Sequence, residues 1–236
     1  DSIISFPVFS EKDFYNELAI YPILSKCEMN LDLQIFSKIG KLILEKKNFL
    51  KFKKIHKKII YINLNKHFNK INVNKNKTYF IRIIINAKKK PLTRFKVALN
   101  IGQKNKKFNI PTNICFNSIV PNKGILKKPG TFKWGAIMDL NNSIICLSNI
   151  NYLKNGFRKA NITMKIWRQQ NNKFIERKFK LNDNGNTFLS FKNDDEIRKF
   201  LKNKTGWVTF QSDNPFVNGF YFENRNNGFI GGDHLF

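Results

Sequence analysis

Apolar residues in this chain come in short runs, and that constrains the fold more than any other feature. From position 31 onward, stretches of three to nine residues rich in Ile, Val, Phe and Tyr are separated by Asn, Gly, Pro and Lys. Branched and aromatic side chains at this spacing suit pleated, half-buried strands, and the turn residues between them interrupt any helical periodicity. The pattern predicts strands at 41–44, 58–64, 79–86, 95–101, 113–117, 132–138, 143–148, 160–168, 174–181, 187–191, 207–212 and 219–223, with a short last one at 228–230. No alternation of strand with long helix is visible. The expected class is therefore all-β and mostly antiparallel, a β-sandwich or jelly-roll-like body.

Two short helices are expected beside the strands. At 11–20, Phe14 and Leu18 stand four residues apart behind Ser10, with acids in the first turn, a spacing that predicts a short N-terminal helix. Near 194–203, Asn193 precedes Asp194, Asp195 and Glu196, and Ile197, Phe200 and Leu201 make an apolar face. Acids suit the positive end of the helix dipole, and the helix should stop before Gly206. Asp183-Asn184-Gly185 reads as a hairpin turn, because its residues tolerate positive φ. The same logic applies to Asn226-Asn227-Gly228. The expected organisation is a helical arm over 1–30 and a single sandwich domain over 31–236, with no internal sequence repeat.

A chain of 236 residues with 42% hydrophobic and 14% aromatic residues, 24 of them Phe, can bury a core and is not a disordered polyelectrolyte. No apolar run is long enough to span a bilayer as a helix. The start at Asp1 lacks the basic-then-apolar pattern of a signal peptide. Of the three cysteines, Cys27, Cys115 and Cys146, at most one pair can close, and the apolar neighbours of Cys115 and Cys146 predict small buried hydrophobes.

The formal charge is +27. Lysine in excess of arginine, together with abundant Asn, Ile and Phe, is the composition that an AT-rich genome imposes. Codon bias does not explain the distribution of acids, however. No Asp or Glu occurs from Lys46 to Met138, a stretch with 24 Lys and Arg, where about six acids are expected at the chain-wide frequency. The first 45 residues carry seven acids against four bases, and the last 98 carry nine against 15. Acid kept out of the middle of the chain points to a surface that faces a polyanion.

The expected function is thus a non-enzymatic binding module that presents a basic face to an anionic polymer, with a surface or secreted polysaccharide ahead of RNA. The partner is an anionic glycan or a nucleic acid, and no cofactor is implied. Lys88, Lys89, Lys90 and Arg94 are the candidate polyanion contacts. Trp207, Asp213, Asn214, Asp233 and His234 are the candidate ligand residues at one end of the sandwich, and Trp134, Trp167 and Trp207 offer apolar faces for sugar rings. In a strand, Asp233 and His234 would point to opposite faces and form no dyad. Asp213 and Asn214 also fit an Asx-type turn before Pro215. Arginine, the residue of bidentate and stacked nucleic-acid contacts, is scarce. A metal-dependent hydrolase built on Asp213, Asp233 and His234 is the remaining alternative. No GxSxG, HExxH or phosphate-loop motif accompanies those residues.

Overall fold

A computed structural model describes residues 1–10, 13–23, 28–68, 78–89, 95–104, 111–120, 127–150, 158–169, 172–202, 204–225 and 230–236. Its strands are β1 (Ser2–Phe9), β2 (Phe14–Ile20), β3 (Met29–Ser37), β4 (Leu42–Phe52), β5 (Ile60–Asn63), β6 (Thr78–Ala87), β7 (Lys96–Gln103) and β8 (Thr112–Asn117) in the first half. The second half holds β9 (Thr131–Ile137), β10 (Ser143–Asn149), β11 (Ala160–Arg168), β12 (Phe174–Leu181), β13 (Asn186–Ser190), β14 (Gly206–Ser212), β15 (Val217–Asn224) and β16 (Ile230–His234). Two short helices, α1 (Asn65–Phe68) and α2 (Asp195–Leu201), complete the described elements. The all-β, antiparallel expectation holds.

The strands form four antiparallel sheets, ordered β4-β3-β6-β1 (sheet I), β5-β2-β7-β8 (sheet II), β12-β11-β14-β9 (sheet III) and β13-β10-β15-β16 (sheet IV). Counted from β9, sheet III runs fourth-third-sixth-first and sheet IV fifth-second-seventh-eighth. Those are the orders of sheets I and II. The two halves of the chain therefore repeat one eight-stranded topology, although no repeat is visible in the sequence.

Period-two alternation builds the cores. On β6, Tyr79, Ile81, Ile83 and Ile85 are buried; Ile81 and Ile83 pair with Phe6 and Ile4 on one side and with Ile35 and Leu33 on the other. Sheet IV is apolar on both faces: Ile145, Leu147, Val217 and Leu235 join the core of the second half. Cys146, Phe220, Phe222 and Ile230 join the core of the first. Phe220 meets Phe6, Phe80 and Phe116 at ring distances of 6.2, 6.0 and 5.4 Å, and Phe188 meets Phe9 and Phe80. One sheet thus seals the β1 side of the first half while serving as a wall of the second.

The segment expected as an N-terminal helix contains β2 instead. A four-residue spacing of Phe14 and Leu18 fits a strand face as well as a helix face, and tertiary bonding decides between them. Buried Asn16 accepts from Phe9 N (3.2 Å) and donates to Phe9 O (2.8 Å), tying β2 to β1. Residues 1–30 accordingly supply β1, β2 and the start of β3, and β3 runs across the boundary expected at residue 30. The second helix is where expected, shifted by one at its cap. Asp194, not Asn193, accepts from Ile197 N (3.0 Å), because Arg177 clamps the Asp194 carboxylate with two bonds of 2.7 and 3.1 Å. Lys202 ends it in the left-handed conformation, φ 54°.

At 183–185 the turn is real, and Asn184 has φ 53°. It is not a hairpin, since β12 pairs with β11 and β13 with β10, in different sheets. It serves as a corner that docks on the first half: Asn184 accepts from Arg82 Nη1 (3.0 Å) and Asn186 N donates to Lys38 O (2.9 Å). Gly40, at φ 86°, lies so close that a Cβ there would sit 2.0 Å from Asp183 O, so only glycine fits. The second expected turn, at 226–228, lies outside the described residues, as does Cys27. Cys146 is buried, but Cys115 is exposed, because Ile114 takes the inward position on β8 and leaves Cys115 on the outward one.

Candidate ligand-binding face

Sheet III packs its inner side chains, among them Ile162, Met164, Ile166, Val208 and Phe210, into the second core. Alternation then sends Thr163, Lys165 and Trp167 of β11, Trp207 and Thr209 of β14, and Phe132 and Trp134 of β9 to the outward face. Strand register aligns them. Phe174, Trp167, Trp207 and Ala136 form one row across four strands; Glu176, Lys165, Thr209 and Trp134 form the next. All three tryptophans of the chain stand on this single face.

The rings touch in two groups, Trp167 with Phe174 and Trp207 with Trp134 and Phe236, which the pairing of Trp167 with Trp207 sets side by side. Trp167 and Phe174 lie 4.6 Å apart, Trp207 and Trp134 5.5 Å, and Trp134 and Phe236 5.2 Å, with interplanar angles of 50°, 60° and 32°. Phe132 is 60% exposed, Phe236 48%, Trp207 42% and Trp134 40%. Exposed rings gathered on one face of a folded surface make it a candidate interaction site. Polar groups are set among the rings. Lys165 Nζ lies 4.5 Å from the Phe174 centroid and 5.9 Å from that of Trp167. Thr209 Oγ1 accepts from Trp167 Nε1 at 2.9 Å, which fixes that ring's orientation.

Just past the strand ends, the face runs into a cleft of about 810 Å³ lined by Met138, Gln169 and Thr205, with Arg198, Lys204 and Arg225 as its cations. Asp139 is the one acid among the lining residues. Its carboxylate is occupied by the backbone N of Asn141 (2.8 Å) and by Asn142 Nδ2 (2.6 Å). Buried Glu223 lies close by, bonded by Ser143 Oγ. Burial, reinforced by the Asp139 charge, pushes its carboxyl above the ordinary value, against the opposing pull of the Ser143 bond and Arg225.

No protein-family model, no curated protein and no solved structure matches the chain.

The residues singled out in the sequence scatter. Trp207 is the second residue of β14 and Asp213 follows the strand's end, roughly 20 Å away at the strand rise per residue. Asp213 accepts from Asn161 N (2.9 Å) and Nδ2 (2.5 Å). Burial works against its charge, but those bonds and the Arg158 guanidinium hold its carboxyl below the ordinary value. Asn214 is fully buried and makes the Asx-type turn: Phe216 N donates to its Oδ1 (2.9 Å), and its Nδ2 reaches Asn149 Oδ1 (3.1 Å). It has no surface for a ligand.

Asp233 and His234 lie on β16, yet His234 Nδ1 sits 2.8 Å from Asp233 Oδ1. At the chain end the carboxylate folds back along the backbone, accepting from His234 N as well (2.7 Å), and overrides strict alternation. The His234 ring packs on Phe236 (4.7 Å) and Phe116 (5.0 Å), which links it to the Trp134 end of the aromatic row. Among the described residues no cluster of three His, Cys, Asp or Glu side chains could hold a metal ion. No described helix is long and apolar enough to cross a membrane.

Charge is concentrated elsewhere. Eight lysines fall between positions 46 and 66, on edge strand β4 of sheet I, in its connection to edge strand β5 of sheet II and on α1. Lys46 Nζ, 3.0 Å from His67 Nδ1, places these edges on one flank. Positive charge on an exposed edge strand also blocks strand addition. Lys88 pairs with Glu28, and that hydrogen-bonded pairing raises the lysine and lowers the glutamate. Lys51, Lys53 and Lys88 share a small cleft of about 240 Å³. Lys89 follows β6, while Lys90 and Arg94 lie outside the described residues. Sequence reasoning missed Phe132, Phe174, Phe236 and the cleft cations. The signal was present as the common outward parity of rings on β9, β11, β12 and β14, but it becomes readable only once the register is known.

Proposed function

We propose that this protein is a binding module, without catalytic machinery of its own, that holds a polysaccharide chain across the outward face of sheet III. The observation that carries this reading is the placement of all three tryptophans on one solvent-facing sheet surface. Aromatic faces stack on the apolar faces of sugar rings, and nearby Thr, Gln and Lys side chains bond the hydroxyls around their rims. Neighbouring rings are tilted by 32° to 60° and are not coplanar, which suits a single twisted chain better than a flat crystalline surface. The lysine-rich flank of the first half adds long-range attraction for an acidic polymer.

Interleaved rings and cations also suit single-stranded RNA, so the test includes both polymers. Calorimetric titration with acidic and neutral oligosaccharides and with an RNA oligonucleotide should give saturable binding to a glycan. Trp134→Ala with Trp207→Ala should abolish it. Retained glycan binding in that double variant, or binding of RNA alone, overturns the reading.

A further inference from the structure

We infer that the polysaccharide held on sheet III carries acidic substituents, and that the cleft at the end of the aromatic row receives them. This rests on the binding face proposed above and adds the short-range site that reads the ligand's charge. The rings read only the apolar faces of a sugar and do not distinguish a neutral chain from an acidic one. The cleft supplies the distinction. Gln169 lies two residues beyond Trp167, Thr205 two before Trp207 and Met138 two beyond Ala136, so the outward face continues into the cleft about 7 Å from the last aromatic row. Thr205 Oγ1 donates to Gln169 Oε1 at 2.5 Å, which ties the floor together across β11 and β14.

Three cations border this floor, against the Asp139 carboxylate, which Asn141 and Asn142 already bond, and beside Glu223, which Arg225 faces and whose carboxyl burial pushes above the ordinary value. Arg198 is held in place by Asn141 Oδ1 at 2.8 Å and by Lys192 O at 3.3 Å. No carboxylate pairs with Lys204 among the described residues. Positive groups gathered in a recess of this size, with Arg198 held in place, select a carboxylate or sulfate attached to a sugar, because the recess desolvates the anion less than a buried site would while keeping the charges close. The cleft's cations, Arg198, Lys204 and Arg225, lie outside the acid-free block of the sequence, so they are independent of the lysine-rich flank.

The test compares tetragalacturonate with its methyl ester, which keeps the ring shape and removes the charge. The parent protein should bind the acid at least tenfold more tightly than the ester. Lys204→Gln with Arg225→Gln should remove that preference while leaving ester binding within twofold of the parent, and Lys204→Gln alone gives a partial effect if the double variant does not fold. Equal affinity for acid and ester, or an acid preference that survives the substitutions, overturns this inference and leaves the aromatic platform standing. Failure of both compounds to bind overturns this inference, and if the neutral and acidic panel also fails, it overturns the platform as well.

Discussion

The two halves of this molecule share one strand order but treat the same place in it differently. In the first half, the side of the sandwich formed by β1, β6 and β8 is covered: Phe6, Phe9, Phe80 and Phe116 pack against Phe188, Phe220 and Phe222 of sheet IV. In the second half, the equivalent strands are β9, β14 and β16. There Phe132, Trp134, Trp207 and, just past β16, Phe236 face solvent. Aromatic residues on equivalent strands form a core in one half and an open face in the other. Topology alone does not dictate burial at this place, and the open copy is the one with a surface to spend on a ligand.

The most damaging way to probe the comparison is to delete a ring from the covered copy. Phe220→Ala removes a fully buried ring shared by both halves, and should cost about 3–5 kcal/mol. In a chain this long that lowers the melting temperature by roughly 6–20 °C in a thermal scan. Trp207→Ala, on the open copy, should cost under about 1 kcal/mol of stability. It should weaken glycan binding about tenfold or more, as truncation of a central aromatic anchor does. If Trp207→Ala unfolds the protein and Phe220→Ala does not, the assignment of covered and open faces is reversed.

Next in size is Asn214→Ala. The buried amide bridges Asn149 Oδ1, Arg158 O and Phe216 N, and its loss should cost about 1–3 kcal/mol with glycan affinity unchanged. A loss of affinity without a loss of stability would return Asn214 to the ligand site. The smaller effect is at Glu223. Its carboxyl is raised in the folded protein, so the folded state holds that proton more tightly than the unfolded chain does. The resulting stability is present below the ordinary carboxylate value and fades as pH rises through the raised one. Glu223→Gln should flatten this part of the pH dependence, measured as urea midpoints from acid to neutral pH. An unchanged slope would show that Glu223 is solvated.

Much of the fold was legible because most strands bury one face, so their alternation survives in the sequence. The strands that escaped are instructive. β1 is buried along nearly its whole length, Ile3 to Phe9, and a strand covered on both faces leaves no alternating pattern. β2 was ambiguous, since Phe14 and Leu18 satisfy two periods and the Asn16 bonds to Phe9 that decide the matter are tertiary. The duplication was illegible because a strand order is kept by apolar pattern and turn placement, which many unrelated residues satisfy.

The candidate site was legible only in part. Trp134, Trp167 and Trp207 were visible as residue types, but their convergence depends on the pairing of Trp167 with Trp207 and of Trp134 with Thr209. Asp213-Asn214 looked like a motif because an Asx turn and a binding loop draw on the same side chains. The acid-free block was the most conspicuous charge feature of the sequence. It drew attention away from Arg198, Lys204 and Arg225, which are ordinary in the sequence and gathered only by the ends of β9, β11 and β14.

Because the tryptophans of this protein all sit on the outward face of sheet III, emission excited selectively in tryptophan, beyond the absorption of the six tyrosines, reports on that face. The decisive measurement is acrylamide quenching of tryptophan emission with and without a saturating acidic polysaccharide. Occupied rings should be shielded, with quenching falling in proportion to bound glycan. Saturable binding that leaves the quenching of all three rings unchanged would place the ligand elsewhere and contradict the account.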